Sequence, residues 1–387
     1  MEKKIGIIGV GNCGSQVANL AEKKYSDLMD CIYINTSEAD LSQVQGEVIF
    51  KIGKEDDVEG TGKNRSKMKA YLKEEIETIL TDETFCDMIA AKKFVFVVVS
   101  AAGGTGSGSG PVLLDVLRQC FPDVNFILVI VLPNMKSSLL EFGNAEEFMK
   151  EVYHKLGPDT TYMVYDNETT SDLSATQSLI AVNEAIVEDI RVVSGIDLYP
   201  TPHSQIDEAD LEAVITLPGR LLITRIKKGL AEKDLEDTLI DDIIIKSIKK
   251  SCHCETDRNR LSRKWAVVTY FTEECYKIYK PAWEKLNDFI GTPIEVHNHN
   301  AINDKNESFN FVQFIAGGLS PINDKMTKMK EKMEELKAAL ASDEKNKYLF
   351  EADDVTYDAA EQRKKEARAR KANTDVKPKA IFDKFMD

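Results

Sequence analysis

Apolar positions along the chain alternate between two periods. Ile5–Ile8, Cys31–Asn35, Phe94–Ser100, Phe126–Leu132 and Thr161–Tyr165 are apolar runs of strand length. Between them, Asn12–Lys24, Met68–Leu80, Pro111–Cys120 and Ala145–Leu156 carry helical spacing. Phe94–Ser100 is dense in β-branched residues, which predicts a strand buried on both faces. This alternation predicts a parallel sheet covered by helices on both sides. Thr176–Gly195 then places Leu179, Ile180, Val182, Ile186, Val187, Ile190 and Val193 on one long helix, with Gly195 as its stop. Beyond Pro200-Thr201-Pro202, strands are expected at Leu221–Ile226, Ala266–Phe271, Pro293–His297 and Phe309–Ile315, in a smaller α+β region. From Asn323 the apolar positions thin to Met326, Met329, Met333, Leu336 and Leu340, a narrow stripe on a long helix. From about Asp353 the chain reads as polar, with the basic cluster Arg363-Lys364-Lys365, Arg368 and Arg370-Lys371.

Composition narrows the class. The 387 residues, 43% hydrophobic and 30% charged, suit about two domains with a sizeable core. There is no apolar run long enough to span a bilayer, so no membrane partner is expected. The first residues enter a strand directly, without an apolar leader. Seven cysteines in no regular spacing predict no disulfide framework, and a reducing cytoplasm is the expected location. A net charge of −15 argues against nucleic-acid binding by the whole surface, though a local basic patch remains open.

The richest candidate chemistry is Ala102-Gly103-Gly104-Thr105-Gly106-Ser107-Gly108-Ser109-Gly110, between a buried strand and a helix. Glycines let the backbone approach a ligand closely, and free N–H groups at a helix start form an anion cradle. Thr105 and Ser107 add hydroxyls. A flexible linker is the bland alternative, but linkers rarely join a buried strand to a helix. No Lys-Ser/Thr pair closes the loop, so it is not a Walker loop. A second loop, Gly9-Val10-Gly11-Asn12-Cys13-Gly14, follows the first strand. Alone it would serve a dinucleotide fold equally well, but the acidic ribose-binding residue that fold needs has only a poor candidate near Ile34–Ser37. Two phosphate loops on one sheet suit a triphosphate better. A dinucleotide-dependent oxidoreductase is the distant alternative.

With both loops in view, the chain resembles the tubulin/FtsZ superfamily of GTPases. Gly103-Gly104-Thr105-Gly106-Ser107-Gly108 is similar to that family's signature, with Ala102 where a first glycine is usual. Gly11-Asn12-Cys13-Gly14-Ser15-Gln16 resembles tubulin's G-x-C-G-x-Q loop. Asn35-Thr36 resembles an N-T-D loop with Ser37 in place of the acid, and Asp166-Asn167-Glu168 resembles the D-N-E loop. The resemblance, ordered along residues 5–320, implies an α/β fold. It comprises a Rossmann-like parallel-sheet GTP-binding domain (1–175), a core helix and linker (176–203), and a smaller α+β activation domain (204–320). A C-terminal helix (321–352) and a polar, basic tail (353–387) follow.

The resemblance also implies roles. Gly11, Asn12, Cys13 and Gln16 would face the phosphates of GTP or GDP, with Gln16 near a Mg2+ held mainly by phosphates and water. Gly103, Gly104, Thr105, Gly106 and Ser107 would hold the phosphates, and Asn35 would line the pocket. Gly60-Thr61-Gly62-Lys63-Asn64-Arg65 occupies the place of the γ-phosphate-sensing loop, which brings in Gly62, Lys63 and Asn64. This form is most like the plasmid and phage partition tubulins of the TubZ type. Asn167 and Asn183 would pair with guanine, whose edge suits an amide's donor and acceptor. By itself Asn183 reads as an ordinary polar helix position. Gln205, Asp207 and Asp210 resemble the N-x-D-x-x-D loop that completes hydrolysis in the next subunit. By themselves, acids at a helix start cap it and offset its dipole.

The function implied is a filament-forming GTPase that segregates plasmid or phage DNA. Its partners would be copies of itself and a centromere-binding adaptor at the tail, with DNA contacted indirectly. A phage DNA-positioning tubulin or a divergent FtsZ-type division protein are the alternatives within the superfamily. Cys252-His253-Cys254 lacks the second pair a zinc site needs. His297 and His299 read as surface residues without carboxylate company, and Phe142 and Gly143 as part of a sugar-contacting loop.

Overall fold

The chain is described in a computed structural model over residues 4–53, 59–201, 205–226, 239–256, 261–278, 280, 282–303, 310–345 and 385. β1 (Ile5–Val10), β2 (Met29–Asn35), β3 (Val48–Lys51), β4 (Phe94–Ser100), β5 (Asn125–Leu132) and β6 (Thr161–Asp166) lie parallel in the order β3-β2-β1-β4-β5-β6. The connections carry α1 (Gly11–Tyr25), α2 (Glu38–Leu41), α3 (Arg65–Leu80), α4 (Glu83–Ala90), α5 (Thr105–Cys120) and α6 (Leu139–His154). Every residue of β1 and β6 is buried, as is all of β4 except Ser100. The period of two sends alternate residues to opposite cores. Ile8, Val10, Val95, Val97 and Val99 join one, and Ile5, Ile7, Phe94, Phe96 and Val98 the other.

α7 (Ala175–Val193) is the expected core helix. Its Val182, Ile186, Val187 and Ile190 belong to the same core as Ile5 and Ile7 of β1 and Ala266 and Ile315 of the second half. That half contains α8 (Glu208–Ile215), β7 (Gly219–Ile226), α9 (Ile240–Lys250), β8 (Lys264–Phe271), α10 (Glu273–Ile278), α11 (Glu284–Ile290), β9 (Glu295–Ile302) and β10 (Phe311–Leu319). Its strands extend the first sheet, giving one ten-stranded sheet that continues β6-β7-β10-β8-β9. The join is narrow: Thr161 pairs with Gly219 and Tyr162 with Arg220. Local pattern gives no hint of this continuity, because it depends on which strand edges meet.

Other departures from expectation have identifiable causes. α5 starts at Thr105, six residues before Pro111, so most of the glycine-rich run is helical. Glycine is a poor helix former, but here absent side chains let the helix pack closely. A Cβ on Gly108 would lie 2.7 Å from the carbonyl oxygen of Arg65. α6 begins at Leu139 because Ser138 and Glu141 form a reciprocal capping box.

α12 (Asn323–Lys345) follows the methionine stripe. Met329 and Met333 are buried, while Leu340 is 56% exposed. Lys325, itself buried, reaches 2.7 Å from Asp166 Oδ2 and ties this helix to the end of β6. Burial still pushes the Asp166 carboxyl above its usual range, with Lys325 pulling the other way. The basic cluster Arg363–Lys371 lies outside the described residues. The expectation that 353–387 is polar throughout is corrected at Phe385, which is fully buried in the core that holds Met68 and Leu72. Phe142 is likewise core, with no exposed surface to contact a sugar.

Candidate nucleotide-binding site

β1 and β4 are neighbours, and the strand order reverses between them. In open α/β sheets the crevice beyond the strand ends at such a point is the usual ligand position. Both glycine loops emerge there, since α1 begins at Gly11 directly after β1, and α5 begins at Thr105 shortly after β4. Gly11 has φ +70°, a left-handed conformation that favours glycine, and a Cβ on it would lie 3.1 Å from the amide nitrogen of Gly106. The two loops therefore touch.

The helix starts at this crevice differ from most others in the chain. N-cap residues Val10 and Gly104 supply no side-chain acceptor to α1 and α5. By contrast α3, α4, α6, α7 and α8 are capped by Asn64, Asp82, Ser138, Ser174 and Asp207. Two uncapped helix starts aim unsatisfied N–H groups and positive dipole ends at one place, which is the chemistry of a phosphate cradle. Burial pushes the Cys13 thiol up to about 12, so it stays neutral beside any anion at neutral pH.

The third loop closes over the second. Gly60 and Gly62 have φ +77° and +58°, and Lys63 holds φ +62°, unique among the described non-glycine residues. A side-chain-bearing residue in that region is strained, and such strain clusters at functional loops. A Cβ on Gly104 would sit 2.0 Å from Thr61 Oγ1 and 2.7 Å from Lys63 Cα. On Gly103 it would meet nothing. Gly104 is thus where the loops press together, while Gly103 faces open space. Asn144 of α6 clamps both, its Nδ2 donating to the carbonyls of Lys63 (2.9 Å), Ala102 (3.1 Å) and Gly103 (3.1 Å). Arg65 donates to the Ser107 carbonyl and pairs with Glu151 at 2.6 Å. Sequence reading missed Asn144 and Glu151. Nothing in their spacing marks them, because their role exists only once α6 packs on α3 and α5.

The remaining predicted residues divide. Gln16 Nε2 donates to Asn12 Oδ1 at 2.9 Å on the exposed face of α1. Thr105 Oγ1 lies 3.0 Å from Thr36 Oγ1. Ser107 turns its hydroxyl back to the Gly103 carbonyl. Asn35 is buried, with Oδ1 accepting from Thr36 N and Nδ2 donating to Asp40. Asn64 caps α3 by accepting from Lys67 N. Both asparagines therefore serve their own chain's loops. Asn167 opens a 3-10 turn directly after β6, and its Oδ1 is buried without a hydrogen-bond partner. Asn183 is half-buried on α7.

Gln205, Asp207 and Asp210 are elsewhere. Asp207 Oδ1 accepts from Asp210 N at 2.8 Å and Asp210 Oδ2 from Asp207 N at 3.3 Å, closing a capping box on α8. Gln205 and Asp207 are exposed. α8 is anchored by Glu208 to Lys4 (2.8 Å) and Lys93 (3.0 Å), and by Glu212 to Lys93 (2.9 Å). Lys4 and Lys93 immediately precede β1 and β4, so α8 lies at the sheet end opposite the glycine loops.

The histidine expectations are corrected here. His299 is buried, bonding to Ile206 N (3.2 Å) and the Tyr199 carbonyl (2.8 Å). Its partners fix the tautomer, with Nδ1 accepting and Nε2 donating. His297 does have carboxylate company, 3.5 Å from both Asp210 and Glu295. His253 lies 3.0 Å from Asp189 Oδ2 and stacks on Tyr165, which makes it part of the packing between β6 and α7.

Sheet order, abutting glycine loops and paired uncapped helix starts together give an α/β protein with the geometry of a phosphate cradle at one end of its sheet. Residues 4–175 match the family described as Tubulin/FtsZ family, GTPase domain. Proteins of this family are GTPases. Among curated relatives, the TubZ protein of Clostridium botulinum C phage is 26% identical over 269 residues, covering 67% of each chain. The CetZ protein of Pyrococcus horikoshii is 26% identical over 236 residues, 59% of this chain and 62% of its own length. The chain thus spans under two thirds of the CetZ relatives it matches. The fold is that of Clostridium botulinum phage c-st TubZ (TM-score 0.69, 20% identity, covering 88% of this chain and all of that one). It is also that of an FtsZ from M. jannaschii (TM-score 0.62, 17% identity, covering 82% and 89%).

Proposed function

We propose that the protein binds GTP at the β1/β4 crevice, assembles end to end into filaments, and completes hydrolysis across the contact between subunits. The supporting observation is the placement of α8. Asp207 and Asp210 lie beyond the start of β1, and the phosphate loops lie beyond its end. Six residues of strand rise roughly 20 Å, too far for these carboxylates to act on their own subunit's γ-phosphate. Stacking the α8 end of one subunit on the loop end of the next would bring the two together. Carboxylates there would orient water for in-line attack. A CetZ2 from Haloferax volcanii has been solved as a GTPγS-bound protofilament, an arrangement that fits this reading.

Within the crevice, Gly103 to Ser107 and the starts of α1 and α5 hold the phosphates. The unpartnered Asn167 Oδ1 would accept from guanine's N–H edge, with Asn183 of α7 the second candidate for the base. Among the described residues no three acidic, histidine or cysteine side chains converge as a metal cage. A Mg2+ would take its donors mainly from the phosphates and water, with Gln16 the candidate side chain beside it. It would neutralise charge on the transferring phosphoryl group.

Segregation of plasmid or phage DNA through a centromere-bound adaptor is the biological reading we favour. It rests on the Gly60–Arg65 loop form and on the basic cluster at 363–371. Light scattering with GTP, GDP and a slowly hydrolysed analogue tests the core claim. Assembly is expected with GTP, persisting polymer with the analogue and none with GDP; equal scattering in all three would refute it. Adaptor–DNA association should be lost on removing residues 353–371 and should be salt-sensitive.

A further inference from the structure

Phe385 plays no part in the nucleotide reading, yet it is one of the most buried residues of the chain. The surrounding sequence, Ile381-Phe382-Asp383-Lys384-Phe385-Met386-Asp387, brings back apolar residues (Ile381, Phe382, Phe385, Met386) among charged ones after a long polar stretch. The Phe385 carbonyl accepts from Lys69 Nζ at 2.6 Å, and the Lys155 ammonium stands 5.7 Å from the ring centre. Lys69 also pairs with Glu151, whose other oxygen takes Arg65. Arg65 Nε and Nη2 donate to the Ser107 carbonyl at 3.2 and 3.1 Å, in the first turn of the phosphate-cradle helix. Four polar links therefore join Phe385 to α5: Phe385–Lys69, Lys69–Glu151, Glu151–Arg65 and Arg65–Ser107.

The same wall bounds a cavity of about 470 Å3, lined by Lys63, Asn64, Arg65, Lys69, Asn144 and Phe385 among others. The half-buried Arg65 and the buried Lys69 share the single carboxylate of Glu151 there. A buried ammonium needs acceptors beyond one half-share of a carboxylate. A main-chain carbonyl delivered by an apolar anchor meets that need without bringing another charge into the core.

We propose that the groove between α3 and α6 is a docking site for this chain's own Phe385 segment, and that docking braces the Gly60–Arg65 loop against the phosphate-cradle helix. Docking stands on the geometry alone; its effect on nucleotide rests on the reading of the crevice given above. An undocked segment would leave Lys69 short of an acceptor and loosen the Arg65–Ser107 link, so nucleotide would leave faster.

The test uses full-length chain. A fluorescent peptide copying residues 378–387 should bind the Phe385→Asp chain at least about tenfold more tightly than the unaltered chain, because a tethered competitor acts at high effective concentration. Adding Lys69→Ala to Phe385→Asp should weaken that binding. Binding to neither chain overturns the proposal. Equal binding to both also overturns it, since the groove would then be vacant within a subunit and open to a neighbour's segment. Hydrogen exchange on the unaltered chain needs no variant. Amides around Phe385 should exchange as slowly as folded α3, and exchange at the unstructured rate would refute docking. Finally, labelled GDP should leave Phe385→Asp several-fold faster than the unaltered chain. Equal rates overturn the bracing. Failure of the unaltered chain to bind labelled GDP at all would instead overturn the nucleotide reading, a distinguishable result.

Discussion

Adjacent glycines in the same loop do different work. Gly104 carries no side chain because Thr61 and the Lys63 backbone already occupy its Cβ position, 2.0 and 2.7 Å away. Gly103 has room for one. Gly104→Val should therefore displace the Gly60–Arg65 loop and lower the melting temperature as well as abolish GTP binding. Gly103→Val should leave melting nearly unchanged and weaken GTP binding by filling ligand space. Isothermal titration beside a thermal melt separates the two, and unchanged affinity in both variants would remove this loop from the site. His299 makes a second residue-scale prediction. Burial holds it below the usual histidine range, and its neutral Nδ1 accepts from Ile206 N. The unfolded chain, with an ordinary histidine near 6.5, takes up the proton first as pH falls. Stability should thus be full above about 6.5 and decline below it. Chemical denaturation at pH 7.5 and 5.5 should show that loss, and His299→Gln should remove this component of the slope.

At the scale of elements, α8 has two explanations that single alanine variants confuse. Asp207 caps the helix through Asp210 N, a contact whose removal typically costs about 1 kcal/mol. It is also the proposed catalytic group. Asp207→Asn keeps a capping oxygen and discards the charge. If the carboxylate orients water, turnover in assembled protein should fall about 10²–10⁴-fold, with melting unchanged and filaments persisting. Full turnover in Asp207→Asn would reduce Asp207 to a cap. α8 also shows why the resemblance was needed. D-E-A-D before an apolar run reads first as a helix start, and so it is. Its position at the far end of the sheet depends on Lys4 and Lys93, residues from two other elements.

For the whole molecule, the separation of α8 from the glycine loops makes a kinetic claim. Turnover per subunit should rise with protein concentration above a threshold as sites are completed by contact. A subunit with a disabled phosphate loop but intact Asp207 and Asp210 should partly restore turnover to Asp207→Asn, provided it enters the filament. Phosphate release across a concentration series reads both. Strict proportionality down to the isolated monomer would rule out hydrolysis in trans.

What the sequence determined by itself was whatever rests on local periodicity. Dense apolar runs such as Phe94–Ser100 can only be buried strands, and the glycine loop after it suits close backbone approach to an anion. These signals lie within a few residues, so most strand positions, the core helix and the methionine-striped helix were legible; the short β3 was not, and β9 starts two residues later than expected and runs on to Ile302. Tertiary structure decided everything that depends on approach between distant segments. It turned Thr105–Gly110 into helix, because α3 packs closely enough to need residues without side chains. It joined the strands of the smaller α+β region to the parallel sheet through Thr161 and Tyr162. It committed Asn35 and Asn64 to their own loops and brought Asn144 and Glu151 to the site. It buried His299, flanked by Asn298 and Asn300, and Phe385, flanked by Lys384 and Met386. Burial of an isolated apolar or titratable residue is set by what packs on it from far along the chain, and no local pattern records that.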